Sequence, residues 1–261
     1  MKKKHLIPIL LVFIGLAALS FTAAATVKLR IQPKQGKTYT IINKANSMTM
    51  MEIQGQTMNM SQNMEIKQTF TPKEVTKKQS VIETQVDAIK MTISQMGMKL
   101  EYDSEHPEKT NPMIASQTKE FEESLKKPTT IIYDDLGKIV GDKEELGLNQ
   151  LGHVIMELPD QDLTVGSKWS QNKEQEVNGT AFTVALEYTV VALSKKGVDL
   201  SFTGNIDSKD VTGSYNGTAC IDPKTGLIIS STTKTNISMT VNEQGLSIPL
   251  TVVGTTTIEV K

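Results

Sequence analysis

The stretch IKMTISQMGMKLEYD, residues 89–103, decides the fold class of this chain. Apolar side chains alternate with polar ones on both sides of the Gln95-Met96-Gly97 turn. Successive side chains of a strand point to opposite faces, so this period of two puts the apolar residues on one face. The tight turn makes the two segments antiparallel neighbours. The stretch therefore predicts a β-hairpin with one buried and one solvated face.

Turn signals recur between alternating segments through the rest of the chain. They lie at residues 53–57, 134–138, 222–226 and 242–245, and at the dipeptides Asn178-Gly179 and Asn216-Gly217. Asn-Gly is the strongest short hairpin signal, because both central positions of the favoured turn take positive φ. Two predicted strands, Lys37–Ile53 and Gly226–Val241, are long. Long strands with tight turns predict a mainly β fold, whose antiparallel sheet is curved or forms a half-barrel or barrel.

Two helices are predicted to interrupt the strands. The first begins at Asn111 and ends before Pro128, and the second begins at Asp142 and ends before Pro159. Each starts at a capping residue and stops at a proline, which cannot continue a helix. Together they make residues 104–166 a helical insert or cap on the sheet.

Residues 1–25 are predicted to be a secretory signal peptide. Three lysines, residues 2–4, precede an apolar run from Leu6 to Leu19, and three alanines come before Thr26. Small residues of this kind precede signal-peptidase cleavage sites. The alternative is a membrane anchor, but the apolar run is shorter than the roughly 20 residues that a spanning helix needs. We therefore expect a periplasmic or secreted protein without an integral membrane span and, since no Cys lies near the cleavage site, without a lipid anchor.

Composition narrows the function of the remaining single domain, residues 26–261. The full chain has 28 basic and 29 acidic residues; the signal holds three of the basic ones and no acid, so 25 and 29 remain, a net charge of −4. A nucleic acid is not an expected partner, because binding its phosphates needs a basic face. The single Cys excludes an intramolecular disulfide. Cys220 lies in an apolar strand pattern and is expected to be buried and inert.

Catalytic motifs are missing from the sequence. The chain has no nucleophile elbow, phosphate loop, zincin helix or EF-hand loop. His106 and His153 have no partner pattern around them. Trp169 is expected to anchor the start of a strand by packing its ring. The sequence predicts a non-enzymatic protein that carries neither a metal nor a cofactor.

Nine of the 13 methionines fall between Met48 and Met98. Three interpretations compete: filler of a plain core, the wall of an adaptable apolar cavity, and a soft-metal Cu(I) site. The absence of His from these strands weakens the Cu(I) interpretation. A three-residue turn between the first two Met-rich strands would place Met50 opposite Met60, whereas a two-residue turn would pair Met51 with Met60.

Three motifs resemble segments of a group of uncharacterised exported proteins of Gram-negative bacteria. They are Leu158-Pro159 followed by Val165-Gly166-Ser167-Lys168-Trp169, Glu101-Tyr102-Asp103-Ser104, and Ile221-Asp222-Pro223-Lys224-Thr225-Gly226. More distantly, the layout of long strands with inserted helices is similar to the LolA/LolB lipoprotein carriers. That resemblance implies an open half-barrel that holds acyl chains in an apolar concavity.

The leading hypothesis is an exported envelope protein that binds an apolar ligand, a lipid or lipidated peptide, in the concave face of its sheet. The Met-rich strands would supply the wall and the amphipathic helices a lid. The predicted cavity lining is Met50, Met60, Met91, Met98, Leu151 and Ile155. The alternative is a structural or interaction β-module with a fully packed core, which binds partners through a sheet edge or loops.

Overall fold

The computed structural model describes residues 25–53, 55–141, 154–177, 180–208, 211–243 and 246–261. Residues 1–24, which hold nearly all of the predicted signal peptide, lie outside this part. The strands are β1 (Tyr39–Ile53), β2 (Gln56–Val75), β3 (Gln79–Gln95), β4 (Met98–Asp103), β5 (Thr129–Asp134), β6 (Lys168–Val177), β7 (Thr180–Leu193), β8 (Val198–Asp207), β9 (Val211–Ile221), β10 (Ile228–Glu243) and β11 (Leu246–Val260). One helix, α1 (Ala115–Ser124), follows the short 3-10 turns Pro107–Lys109 and Pro112–Ile114.

All eleven strands belong to one antiparallel sheet, which confirms the mainly β prediction. The strand order is β4-β3-β2-β1-β11-β10-β9-β8-β7-β6, and β5 pairs with the part of β3 that β4 does not reach. The sheet is not closed, since β4 and β6 stand at its two ends. Of the predicted architectures, the open sheet is therefore the one observed.

The β1–β2 turn corrects the predicted register of the methionines. It has two residues, and Met60 lies opposite Thr49. The predictions that placed Met50 or Met51 opposite Met60 are wrong, because the last pair beside the two-residue turn is Ile53 with Gln56. Counting outward from that pair brings Met51 opposite Met58 and Thr49 opposite Met60.

The predicted hairpin turn at Asn216-Gly217 is also wrong, because both residues lie within β9. Gly217 serves close packing instead. A Cβ there would stand 2.5 Å from Phe202 Cζ and would clash with the Thr232 carbonyl oxygen. Glycine inside a strand often marks such a close approach.

The first predicted helix is confirmed in position. The Asn111 side chain accepts a hydrogen bond of 2.9 Å from the Met113 backbone N–H, at the start of the turn that leads into α1. Of the second, residues 142–153 lie outside the described part of the chain. Its last five residues, 154–158, are not helical, because their backbone groups bond to other segments rather than to each other.

One face of the sheet, here called the inner face, carries the apolar side chains of nearly all strands. One end of the sheet, here called the base, holds the turns at residues 76–78, 194–197 and 222–227. Two extended segments, residues 25–33 and 154–163, cross the inner face near this base. Leu29 is completely buried there. Of the four register shifts found in the described part of the sheet, three also lie near the base, and the fourth, at Lys67/Gln68, lies midway along β2. Bulges bend strands, and the sheet thus curves around the two segments.

Candidate ligand-binding site

Ten residues form one row across the inner face, one from each strand of the main path. From β6 to β4 they are Trp169, Tyr188, Phe202, Gly217, Thr233, Thr256, Ala45, Met64, Met91 and Tyr102. Large rings occupy β6, β7 and β8, whereas glycine, threonine and alanine occupy β9 to β1. This change of side-chain size leaves room above the central strands.

A cavity of about 230 Å³ lies between this face and residues 154–158, here called the strap. Its lining is Ile155, Met156, Val184, Leu186, Tyr188, Phe202, Tyr215, Ala219, Ile228, Ser231, Thr233 and Ile258. Most of these side chains are aliphatic or aromatic, and none is charged. The cavity is therefore an apolar site with a few hydroxyl groups in its wall, the usual chemistry of a small-molecule pocket.

Backbone hydrogen bonds hold the strap over the sheet. The Leu158 N–H donates to the Leu136 carbonyl over 2.7 Å, and the Val154 carbonyl accepts from the Ile228 N–H over 2.8 Å. The Gln171 side chain donates a further bond to a carbonyl of the strap. Because both ends are tied to separate elements, the strap forms a fixed wall of the cavity.

Three aromatic rings form a stack beside the cavity. Trp169 lies parallel to Tyr188, with ring centroids 5.1 Å apart and planes 13° apart, and Tyr188 meets Phe202 at 5.6 Å. The expectation that Trp169 packs at a strand start is confirmed. Burial, and to a smaller extent the charge of Glu157, raises the pKa of Tyr188 to about 12, so its hydroxyl is protonated at neutral pH.

The six predicted lining residues do not surround one cavity. Ile155 lies on the strap and lines the cavity. Met91 is buried in a separate cluster that Ile114, Phe121 and Leu125 cover. Leu151 lies outside the described residues.

The remaining three predicted residues lie toward the open end of the sheet, opposite the base. Met60 on β2 and Met98 on β4 both lie opposite Gln95 of β3, on the same inner face as Met91. Met98 is 52% exposed. Met50 lies one position from Thr49, the partner of Met60, and therefore projects from the opposite, outer face.

The sequence prediction missed Tyr188, Phe202 and Tyr215, which line the cavity. The period-two pattern of β7 and β8 did place Tyr188 and Phe202 on buried faces, but it carried no signal for a cavity. Tyr215 comes directly before the Asn-Gly dipeptide that predicted a turn, so the sequence did not indicate that Tyr215 lies within a strand.

Cys220 is half-buried on β9. Burial raises the pKa of its thiol to about 11, with a further contribution from Asp199. Little thiolate exists at neutral pH under these conditions, which agrees with the prediction of an inert thiol, whereas the prediction of a buried one is met only in part.

A second hollow, of about 340 Å³, lies across β1 to β4; most of its lining residues are polar or charged, and the predicted lining residue Met91 is among the others. Four of its charged groups form ion pairs with one another: Lys44 with Glu65 at 3.2 Å, and Lys90 with Asp103 at 3.5 Å. Across the described ranges, no three His, Cys, Asp or Glu side chains converge as a metal site. No helix in those ranges is long and apolar enough to cross a membrane.

Comparison with known proteins gives a family match over part of the chain and a likeness of fold. The family described as "Family of unknown function (DUF6263)" matches residues 148–228, which include the strap and β6 to β9. No curated protein is significantly similar in sequence. The chain resembles the structure titled "Lipid-protein interactions in lipovitellin", with a TM-score of 0.50 and 13% identity over 87% of this chain. It spans 25% of that chain.

A second solved structure that matches in the comparison is the translocator domain of the autotransporter NalP from Neisseria meningitidis. The match has a TM-score of 0.23 and 9% identity, and covers 86% of this chain and 88% of that one.

Proposed function

We propose that this protein is a non-enzymatic, exported binding protein that holds an apolar ligand against the inner face of its sheet. The observation that carries the proposal is the uncharged cavity of about 230 Å³ between the strap and strands β7 to β11. An apolar cavity of about 150 Å³ already binds benzene. A site of this size therefore suits a small apolar molecule or one acyl chain, such as that of a lipid or lipidated peptide.

The driving force would be burial of ligand surface, worth about 25 cal/mol per Å². Leu186, Phe202 and Ile258 offer apolar surface on the sheet side, and Ile155 offers it on the strap side. Among the described residues, the lining contains no carboxylate, imidazole or thiol. This chemistry supports binding rather than acid–base catalysis.

The likeness to the lipovitellin structure, whose title concerns lipid–protein interactions, adds support at the level of the fold. Export is part of the proposal because of the signal-peptide pattern in residues 1–25. Mass spectrometry of the protein recovered outside the cytoplasm tests it, with an N-terminus at Thr26 as the expected result. An intact N-terminus would contradict cleavage.

Native mass spectrometry of gently purified protein tests ligand binding. We expect a mass above that of the chain alone, and loss of the extra mass in Ala219→Leu, which fills the cavity. The matched control is Thr218→Leu, because Thr218 is exposed on the outer face of the same strand. A bare mass, together with no uptake of a fluorescent apolar probe, would contradict the proposal.

The second candidate is a structural or interaction module with a packed core. The observation that favours it is size: about 230 Å³ lies below the roughly 300 Å³ at which pockets for drug-sized ligands begin. Under this alternative, wild type and Ala219→Leu each show only the mass of their own chain.

A further inference from the structure

Four hydroxyl groups lie in the wall of the apolar cavity, those of Tyr188, Tyr215, Ser231 and Thr233. Their strand positions place all four on the inner face. None of these four hydroxyl groups makes a hydrogen bond to another described residue. Polar groups in such a wall need partners, which water or a ligand must supply. The cavity therefore offers hydrogen bonds to whatever occupies it.

The charges around the cavity disfavour the binding of an anion. No lining residue in the part of the chain that the structure describes carries a charge. Glu157, beside the lining residue Met156 on the strap, is close enough to help raise the pKa of Tyr188. A carboxylate or phosphate in the cavity would lose its hydration without a positive partner, and the negative charge of Glu157 would repel it.

Two further polar atoms lie unpartnered at the β6 side of the cavity. Trp169 Nε1, a donor, and Gln171 Oε1, an acceptor, are buried without a hydrogen-bond partner among the described residues. Trp169 and Gln171 pair on the sheet with Tyr188 and Leu186, which both line the cavity, whereas the two β6 residues lie beside its lining. Hydrogen-bonding groups thus occur on β7, β9 and β10 within the wall and on β6 beside it, and the rest of the lining is apolar.

We infer that the cavity binds an uncharged apolar molecule with one hydrogen-bonding group, such as a medium-chain alcohol or ketone, and discriminates against the corresponding carboxylate. The inference rests on the proposed function, since it names the ligand class of the same cavity. The phenol groups of Tyr188 and Tyr215 donate to the ligand oxygen, while Leu186, Phe202 and Ile258 cover its chain.

The test titrates the purified, delipidated full chain with octane, octan-1-ol, octan-2-one and octanoate at about pH 8, where a carboxyl group is ionised. Trp169 is the one tryptophan of the chain and stacks on the cavity-lining Tyr188, so its fluorescence reports occupancy. We expect octan-1-ol and octan-2-one to bind at least about 10-fold more tightly than octanoate, a difference of about 1.4 kcal/mol.

Substitutions test separately the hydrogen bond from Tyr215 to the ligand and the effect of the Glu157 charge. Tyr215→Phe removes one donor and is expected to weaken octan-1-ol binding about 3- to 10-fold while octane binding is unchanged. Tyr102→Phe, in the separate cluster under α1, is the matched control. Glu157→Gln is expected to strengthen octanoate binding and to leave octan-1-ol binding unchanged. Glu187→Gln removes the same charge from the outer face and should alter neither.

The outcomes distinguish this inference from the proposed function. Octanoate binding as tight as octan-1-ol binding would overturn the ligand class but leave apolar binding in place. Equal octan-1-ol affinity in wild type and Tyr215→Phe would overturn the role of the phenols. Absence of binding by all four probes would overturn both proposals.

Discussion

The ring of Phe202 lies against the backbone of Gly217 on the neighbouring strand, so closely that a Cβ at position 217 would stand 2.5 Å from Phe202 Cζ. This contact lets an aromatic side chain cover the middle of the sheet and form part of the cavity wall. It also explains why a glycine stands in the interior of β9, where a side chain would normally add packing.

Gly217→Ala should lower the free energy of unfolding by about 1–3 kcal/mol, because the added methyl overpacks this contact. Urea unfolding measures the change. Gly254→Ala is the control, since the atoms nearest a Cβ there lie 3.1–3.5 Å away. Equal stabilities of the two variants would contradict the packing role of Gly217.

Leu29→Ala should cost about 2–5 kcal/mol of unfolding free energy, because Leu29 is completely buried between the sheet and neighbouring segments. The exposed Gln32, three positions on, provides the control: Gln32→Ala should change stability by less than about 0.5 kcal/mol. A small effect of Leu29→Ala would mean that the segment before β1 does not belong to the core.

Replacing a methionine by alanine should lower the free energy of unfolding by a large or a small amount, according to whether that methionine is buried. Met91→Ala should cost about 2–5 kcal/mol, because Met91 is 5% exposed and packs under α1. Met50→Ala and Met98→Ala should each cost less than about 0.5 kcal/mol, since 36% and 52% of these residues are exposed. Thermal unfolding of the three variants checks this order, and a costly Met98→Ala would contradict it.

Alkylation of Cys220 near neutral pH should be about 100-fold slower than that of an unperturbed thiol, because a pKa raised from 9.0 to about 11 leaves about 100-fold less thiolate. Asp199→Asn should speed the reaction, since the Asp199 carboxylate helps raise this pKa. The rate is measured with iodoacetamide, and denaturant should restore ordinary reactivity. A fast reaction in the folded protein would contradict the raised pKa.

Alkaline pH should destabilise the protein through Tyr188. Its pKa is raised from 10.0 to about 12. The folded state therefore holds the proton more tightly than the unfolded state, so this stabilisation is complete below about pH 10 and is lost as the pH rises to about 12. Urea unfolding across that window should show a shallower pH dependence in Tyr188→Phe than in wild type. Equal slopes would contradict burial of this hydroxyl.

Local pattern predicted much of the fold. Residues 89–103 form the β3–β4 hairpin, whose turn residues Met96 and Gly97 both take positive φ. The helix after Asn111 is present as well. Such features follow from alternation, turn chemistry and capping, which act between residues a few positions apart. They were therefore accessible without knowledge of tertiary contacts.

The candidate site was much less predictable. Of the six residues chosen from the sequence, Ile155 lines the cavity, and Met50 projects from the other face of the sheet. One position of register decides which face a strand residue occupies. The Met-rich composition carried no information about that position.

By itself, the sequence determined that long antiparallel strands with tight turns would build this protein, because dihedral preferences and the period of two are local. Only the tertiary structure decided that β1 and β11 join opposite ends of the chain in one sheet, that Gly217 lies inside a strand, and that residues 154–158 form a strap over a cavity. The strap shows the physical reason. Its helix-like apolar spacing is overruled by hydrogen bonds to Leu136 and Ile228 and by burial against strands that lie far from it in sequence.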